Sequence, residues 1–549
     1  MKKVIALLLA SVLLLTLIAA CGSATQAPTT RPAPPSSGWT PGAGYAGKYD
    51  PSTVLKIAWV TQGDRPVDPN SEVKKVYEEK FNLDIDYIYI QRAEQAQLLG
   101  IQLAAGDIPD VWRCQGEARY REYASQGVLA AIPEDMIYEV MPVMAELMID
   151  NYKHCLNNIF DFMKDNGEIY ALPAAELNSM YMLTPIWRDD WLANVGINSI
   201  PATVEEAEAA FYAFTNNDPD QNGVNDTYGL SNNGIDLFLY GFGGPGNNAL
   251  VRNGKVTRAF LEPEFKQGIG KIIQFYADGL IDEEFATGEN RGQSWFNSIP
   301  FYNNIIGYTN GQMFYHINPP NPYVEGSIGG GIYEGFYNLN PDSSYAVGKA
   351  LKGPYPELIS PRWGIVPGNY HVFGSKITEE KMVRILQITE AIATDYDTFI
   401  LFQNGLEDIT YRLDYNDAGQ PMYTGIGDPA AQYQPGVSTE GLSYLHGNQY
   451  DFLRRSNVVL YGFAEEFCTP AAIGNPIPYQ SPIFATFDED VRDAVSVADT
   501  RWAETRNLLI TGQVPFNDAE WDKFVTEMKS LGIDRWIEAA QKWYDETIK

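Results

Sequence analysis

The sequence predicts an α/β fold, a mostly parallel sheet flanked by helices and gathered into one large body of two lobes. Three observations carry that expectation. Short apolar runs of strand length alternate with segments of helical spacing from residue 54 onward. No internal repeat interrupts the alternation. The 549 residues are 45% hydrophobic and 20% charged, the composition of a folded chain with ample core. Length alone allows three or four domains of about 150 residues.

Each element has its own warrant. Residues 54–60, Val-Leu-Lys-Ile-Ala-Trp-Val, form a short apolar strand. A polar loop over 61–70 follows, then a helix over 71–81 opened by the N-cap Ser71 and carrying Val73, Val76, Tyr77 and Phe81 at helical spacing. Residues 83–90 alternate as a strand, 93–104 read as a helix, and 109–114 as a strand again. Strands and helices at this spacing imply right-handed crossovers, with ligands at the carboxyl ends of the strands. Thr61-Gln62-Gly63-Asp64-Arg65 and Trp112-Arg113-Cys114-Gln115 fall at such ends. Further helices are expected over 204–215, 264–278, 381–394 and 518–547.

Charge narrows the function. Lys and Arg number 39 against 70 Asp and Glu, a net charge of -31, so a phosphate backbone or an anionic lipid surface would meet a like-signed field. Aromatic residues make up 13%, led by 34 Tyr, more than a core needs and suited to a wet, hydrogen-bonding pocket.

The N-terminus reads as an export signal: Met1-Lys2-Lys3, then an apolar run over 4–20. Its ending, Leu17-Ile18-Ala19-Ala20-Cys21-Gly22, resembles the lipobox of bacterial lipoproteins, in which Cys21 is acylated and becomes the new N-terminus. Two acyl chains hold a protein stably at a membrane. The competing interpretation is a plain secretory signal with an incidental Cys. Residues 22–53, rich in Ser, Thr, Pro, Gly and Ala, form a tether that hangs the folded part outside the cytoplasmic membrane. Cys114, Cys155 and Cys468 leave an odd number and no zinc spacing; buried thiols and a Cys114–Cys155 bridge both stay open.

Leu103-Ala104-Ala105-Gly106-Asp107-Ile108-Pro109-Asp110-Val111-Trp112 resembles the GDxPDV segment of extracellular solute-binding proteins of ABC importers. Ile169-Tyr170-Ala171-Leu172-Pro173, Trp187-Arg188-Asp189-Asp190-Trp191-Leu192, Gly311-Gln312-Met313-Phe314 and the closing Glu520-Trp521-Asp522-Lys523-Phe524 fit in the same order. The resemblance spans nearly all of the chain after the leader and is strongest to the large lipoprotein receptors of Gram-positive carbohydrate importers. It implies a two-lobed, periplasmic-binding-protein-like α/β fold of type II topology, with hinge crossovers and a sugar in the cleft. The implied division is a signal peptide at 1–20, a linker at 21–53, lobe 1 at 54–173, lobe 2 at 174–308, a return to lobe 1 at 309–371, and lobe 2 with C-terminal helices at 372–549.

Asp218, Asp220, Asn222 and Asp226 stand at positions 1, 3, 5 and 9 of a loop with Gly223 at position 6, the start of an EF-hand pattern, with the Val224 carbonyl at position 7. Such spacing curls alternate oxygens onto one hard cation, and structural Ca2+ is the expected cofactor. Gly229 stands where an EF-hand has its bidentate Glu. In alginate-binding relatives a comparable loop ends in two acids, and here Thr227 replaces the second. A solvated Asx-rich turn is the plainer alternative. Gly241-Phe242-Gly243-Gly244-Pro245-Gly246 has the letters of a dinucleotide fingerprint, but Pro245 denies the helix such a site needs, so it is expected as a cleft-edge loop.

No nucleophile elbow, metalloprotease pair or P-loop is found, and only four His occur. Candidate sugar contacts are chosen by position at cleft loops. Gln62, Arg65, Trp112 and Arg113 come from lobe 1, and Tyr181, Trp187, Arg188, Phe242 and Trp295 from lobe 2. Tyr315, His316, Asn369 and Tyr370 flank the crossings. Aromatic faces would stack on sugar rings, while polar groups bind hydroxyls. Arg65, Arg92, Arg113 and Arg188 would suit a uronate, since a guanidinium forks a carboxylate; pairing with the protein's own excess acids is the alternative. Trp59 and Trp191 read as core. The expected function is a monomeric, lipid-anchored receptor that passes an oligosaccharide to an ABC permease, with no chemistry of its own. An exported glycoside hydrolase or lyase, a receptor for another polar solute such as a peptide, and a surface adhesion protein are the rivals.

Overall fold

The computed structural model describes residues 44–45, 47–63, 70–91, 94–152, 156–173, 183–293, 297–311, 331–356, 368–415, 419, 421–426, 451–452, 455, 459 and 487–547. Strand β1 (Leu55–Gly63) and strand β2 (Leu83–Gln91) pair in parallel along their whole length, from Leu55 opposite Leu83 to Gly63 opposite Gln91. The expected loop at 61–63 is therefore strand. Helix α1 (Glu72–Phe81) joins them; Ser71 accepts from the Lys74 amide, and Asn82 ends the helix in the left-handed region at φ 51°. Helix α2 (Gln95–Ala104) leads to β3 (Val111–Gln115), whose first four residues are buried. The Asp110 carboxylate accepts from the Ala58 amide at 2.7 Å and from Lys381 Nζ at 2.8 Å, so the acid of the GDxPDV segment is a clamp between strands and a later helix. Helices α3 (Glu117–Ser125), α4 (Glu134–Val140) and α5 (Pro142–Tyr152) then lead to β4 (Ala171–Pro173).

The chain crosses to a second sheet at β5 (Pro185–Trp187), followed by α6 (Asp189–Asn194) and α7 (Val204–Asn216). A capping box starts α7: Thr203 accepts from the Glu206 amide, and Glu206 accepts in return from the Thr203 amide. Then come β6 (Tyr228–Leu230), α8 (Asn232–Leu239), α9 (Pro263–Ala277), β7 (Ile306–Asn310), α10 (Gly331–Leu339) and β8 (Ala346–Val347). The chain rejoins the first sheet at β9 (Asn369–Phe373), with α11 (Glu379–Thr394) and α12 (Tyr396–Gln403) behind it. Helices α13 (Glu489–Ile510), α14 (Asp518–Met528) and α15 (Asp534–Thr547) finish it.

The first sheet has the order β2-β1-β3-β9-β4, with β9 antiparallel to both neighbours. The second has the order β8-β5-β7-β6 and is also mixed. Each sheet owns a core. Trp59, Trp112, Tyr370, Ile385 and Phe402 belong to one, and Trp187, Trp191, Phe211, Trp502 and Phe524 to the other. A fully buried side chain of this kind contributes roughly 1.5–3 kcal/mol. These are the two lobes of an α/β binding-protein fold. The boundaries differ from those expected in two places. The second sheet keeps the chain through Val347, so the return comes at Asn369 and not at 309; and residues 382–402 pack in the first core, not the second. The expected long helix over 518–547 is two helices, broken at Gly532 with φ 112°. Among the described residues no helix is long and apolar enough to cross a membrane.

Candidate functional site

Strand register gathers a polar patch toward the carboxyl end of β3. His371 lies opposite Arg113, Asn369 opposite Gln115, and Trp59 opposite Val111. Alternation then puts Thr61, Arg113, Gln115, Asn369 and His371 on one face, and Trp112, Cys114 and Tyr370 on the other. Arg113 donates through Nε at 2.8 Å and Nη2 at 2.5 Å to Asn369 Oδ1. Burial, with the Arg113 charge beside it, pushes the His371 pKa down to about 3, so the imidazole is neutral. Among the described residues neither His371 nitrogen has a hydrogen-bond partner, nor does Thr61 Oγ1, although both residues are buried. A buried polar group left unmade costs about 1–3 kcal/mol.

A cavity of about 810 Å3 opens where β3 runs through Gly116 into α3, the helix that packs on the Trp112 and Tyr370 face. Lobe 1 supplies Glu117, Arg121 and Phe162; the C-terminal helical segment, packed on lobe 2, supplies Phe487, Arg492 and Trp543. Trp543 is half-buried and touches the lobe 1 core as well. Asn157 Nδ2 donates to the Thr547 carbonyl at 2.8 Å, a direct bond from lobe 1 to the last helix.

The loop at Asp218–Asp226 is wound as its spacing predicts. Asn222 N and Gly223 N donate to the two Asp218 oxygens at 3.0 and 2.9 Å, and Asn222 Nδ2 bridges Asp220 at 3.0 Å and Asp226 at 3.2 Å. Partial burial, with Asp218 and Asp226 nearby, raises the Asp220 carboxyl above its ordinary value. Among the described residues no three His, Cys, Asp or Glu groups form a finished metal cluster. The loop instead offers acids joined by an amide, and its donor set of oxygens fits a hard cation.

Several expected contacts prove to be core. Trp112 is fully buried against Tyr123, and Tyr370 packs on Tyr120 at 4.8 Å. Trp187 is fully buried, lying over Phe211 at 5.7 Å and Tyr308 at 4.2 Å. Phe242 is buried under α9, where a Cβ at Gly268 would come within 2.7 Å of its ring. The whole 241–246 segment is packed rather than a free cleft edge; a Cβ at Gly246 would stand 2.5 Å from Trp502. Rings closed in on every side have no face to give a sugar. Arg188 is buried too, forking Asp190 at 2.8 and 2.6 Å and donating to Asn304 and Ser343, so its guanidinium is spent on structure. Cys114 is a buried free thiol whose pKa burial pushes up to about 12, and Cys155, its possible bridge partner, lies outside the described residues.

Arg113 and Asn369 do come together, as a pair. Gln62 has its backbone in β1, while Arg65, Arg92, Tyr181, Trp295, Tyr315 and His316 lie outside the described residues, as do Cys21, Cys155 and Cys468. Thr61, His371, Arg492 and Trp543 went unnoticed in sequence. His371 carried a signal, two residues from Asn369 on a strand; Trp543 sits beside the buried stripe Trp536, Ala540 and Tyr544.

No family model matches the chain. Among curated relatives it is 27% identical over 243 residues to lipoprotein LipO of Bacillus subtilis, covering 43% of this chain and 46% of the relative. It is 25% identical over 263 residues to the polygalacturonan/rhamnogalacturonan-binding protein YtcQ of the same organism, covering 46% and 49%. To the fructooligosaccharide ABC transporter substrate-binding protein FusA of Streptococcus pneumoniae it is 27% identical over 252 residues, covering 42% and 45%. The chain thus matches about half the length of these relatives. Among solved structures, FusA in complex with kestose aligns at TM-score 0.55 and 17% identity, over 89% of this chain and 99% of that one. An EF-hand mutant of FusA with fructo-nystose aligns at 0.52 and 15%, over 89% and 99%. A human-milk-oligosaccharide-binding solute-binding protein of Bifidobacterium longum infantis aligns at 0.57 and 16%, over 90% and 99%. Likeness at this level of identity is likeness of fold, and the fold is that of the two-lobed solute-binding proteins.

Proposed function

We propose that this chain is a lipid-anchored receptor on the outer face of the cytoplasmic membrane that captures a carbohydrate between its lobes and delivers it to an ABC permease. The observation that carries this reading is the pairing of a two-lobed binding-protein fold with a buried polar floor at the carboxyl ends of β1 and β3, in which Thr61 Oγ1 and the His371 nitrogens make no hydrogen bond among the described residues. Unpaired hydroxyl and imidazole groups are what a polyhydroxylated ligand satisfies. The relatives' named ligands, fructooligosaccharides and pectic polymers, support the class. Arg113 and Asn369 belong to the floor, and Gln62, Arg65, Tyr181, Trp295, Tyr315 and His316 are the proposed further contacts. The receptor acts as a monomer, without chemistry of its own.

Melting the protein against kestose, nystose and oligogalacturonides tests the class. A ligand at a hundred times its Kd adds about 2.7 kcal/mol of stability. Chromatography of the same mixtures should return each sugar intact, whereas shortened products would establish a hydrolase or lyase instead. Anchoring rests on Cys21 and is read by fractionation: wild type in the membrane pellet, Cys21→Ala released or unprocessed. Calcium is proposed for Asp218, Asp220, Asn222, the Val224 carbonyl and Asp226, and the EF-hand named in a FusA structure supports it. When bound, the ion would neutralise the loop's carboxylates and pin it behind α7.

A further inference from the structure

The end of the expected tether is folded. Residues 22–53 read as linker from their composition, yet the described part of 44–53 packs on lobe 1. The amides of Gly44 and Tyr45 donate to the two carboxylate oxygens of Glu139, in the last turn of α4, at 3.4 and 2.8 Å. Lys48 Nζ pairs with Glu379, the first residue of α11, and the Tyr49 hydroxyl donates to the same carboxylate at 2.7 Å. The Lys48 ammonium also lies over the rings of Tyr45 and Tyr49, at 5.7 and 5.4 Å, and both rings pack on the lobe 1 core. Arg384 holds the segment from beneath. It is buried, and its guanidinium donates to the carbonyls of Asp50 and Thr53 at 3.3 Å, Phe81 at 2.6 Å and Asn82 at 3.2 Å. Among the described residues it pairs with no carboxylate, so these carbonyls answer a buried charge that is costly to leave alone. Residues 50–53 therefore belong to the fold.

The place of docking is as informative as the contacts. Leu55 opens β1, Asn82 precedes β2, and Phe373, at the end of antiparallel β9, stands opposite Val111 at the start of β3. With α11 starting just beyond β9, the segment is held at the amino-terminal edge of the first sheet. The floor is at the other edge: Leu55 to Thr61 alone is roughly 20 Å of strand. We propose that residues 44–53 are a mooring segment, which passes the pull of the lipid anchor into lobe 1 at the edge away from the floor. This rests on the lipid-anchor reading above and adds which lobe the membrane holds. Each partner named lies on lobe 1, so lobe 2 can move on a sugar while the attachment stays still.

Trypsin tests the mooring. Between Cys21 and Leu55 the chain offers only Arg31 and Lys48, and Arg31 is followed by Pro32, a bond trypsin does not cut. Release of the receptor from membranes thus reads cutting at Lys48, with Tyr49 as the new N-terminus in mass spectrometry. The rate follows the population of the undocked segment. Wild type should be released slowly. Glu379→Ala and Glu139→Ala, on different helices, should each speed release on the order of five-fold, the scale of one hydrogen-bonded contact, and the pair together more. Asp518→Ala, which removes the exposed ion pair with Lys266 on lobe 2, should leave the rate unchanged. Melting curves identify any variant whose body is unfolded, and the other helix's variant then decides. Wild-type cutting as fast as in the double variant, or equal acceleration by Asp518→Ala, overturns the mooring. Wild type in the soluble fraction overturns the anchor, and with it the load on lobe 1, while the rate at Lys48 still decides whether the segment is docked.

Discussion

Trp187 shows what a residue's neighbours in sequence conceal. It sits at the end of a strand beside an arginine, the position from which binding proteins present aromatic rings, yet it is fully buried. The reason lies in pairing: β5 is flanked by β7 and β8, Tyr308 and Ala346 both stand opposite Trp187, and a Cβ at Gly348 would come within 2.7 Å of its indole nitrogen. None of these partners is near it in sequence. Trp187→Ala should therefore cost about 3–5 kcal/mol of stability in denaturant melts. Any effect on sugar affinity should vanish once the folded fraction is accounted for. His371 gives the opposite lesson, a residue passed over whose buried position makes it telling. Its pKa falls from about 6.5 to about 3, so below pH 6.5 the unfolded chain binds a proton that the native state refuses. Stability contributed by the neutral imidazole is intact above pH 6.5 and is lost as pH falls toward 3, by up to about 1.4 kcal/mol per pH unit. His371→Gln should flatten that slope between pH 6 and 4 in urea melts; an unaltered slope would mean that His371 is solvated after all.

At the scale of elements, the sequence was a good guide wherever local chemistry decides. The capping box at Thr203 and Glu206, the Ser71 cap and the apolar spacing of α1, α7, α9 and α11 placed those helices within two residues of their ends. What it missed depended on contacts from afar. Gly532 looks like any helix glycine, but a Cβ there would lie 2.6 Å from the Ala494 Cβ of α13, and its φ of 112° turns the chain between α14 and α15. The loop at Asp218–Asp226 lies between these cases, since its winding follows from spacing while its occupancy depends on a cation. Adding calcium should raise the melting temperature of wild type, and Asp220→Ala should abolish the rise, because it removes the acid that partial burial and two like-charged neighbours already disfavour. Identical melts in calcium and in chelator would reduce the loop to an Asx-rich turn.

The connection of the lobes was the least legible feature, because β9 enters the first sheet antiparallel between β3 and β4, a pairing that joins residues some 200–260 positions apart. Periodicity finds a strand at 369–373 but not the neighbours it will choose. Among the described residues the chain lies in the first sheet through Pro173, in the second from Pro185 to Val347 and in the first again from Asn369, and the helix Glu489–Ile510 packs in the second core, so both lobes are discontinuous. The floor lies on lobe 1 alone. A ligand that touched one lobe alone would have no preference between open and closed forms and could not drive closure. Saturating oligosaccharide should therefore reduce the radius of gyration in solution scattering, and a short sugar that reaches only the floor should not. Asn157 offers a control, because its bond to the Thr547 carbonyl joins lobe 1 to the last helix without lying on the floor. Asn157→Ala removes a contact worth about 1 kcal/mol and should lower stability by about that much in urea melts. Scattering of this variant should still contract at saturating sugar. A curve unchanged by saturating ligand in wild type would remove the hinge and leave a receptor that binds without closing.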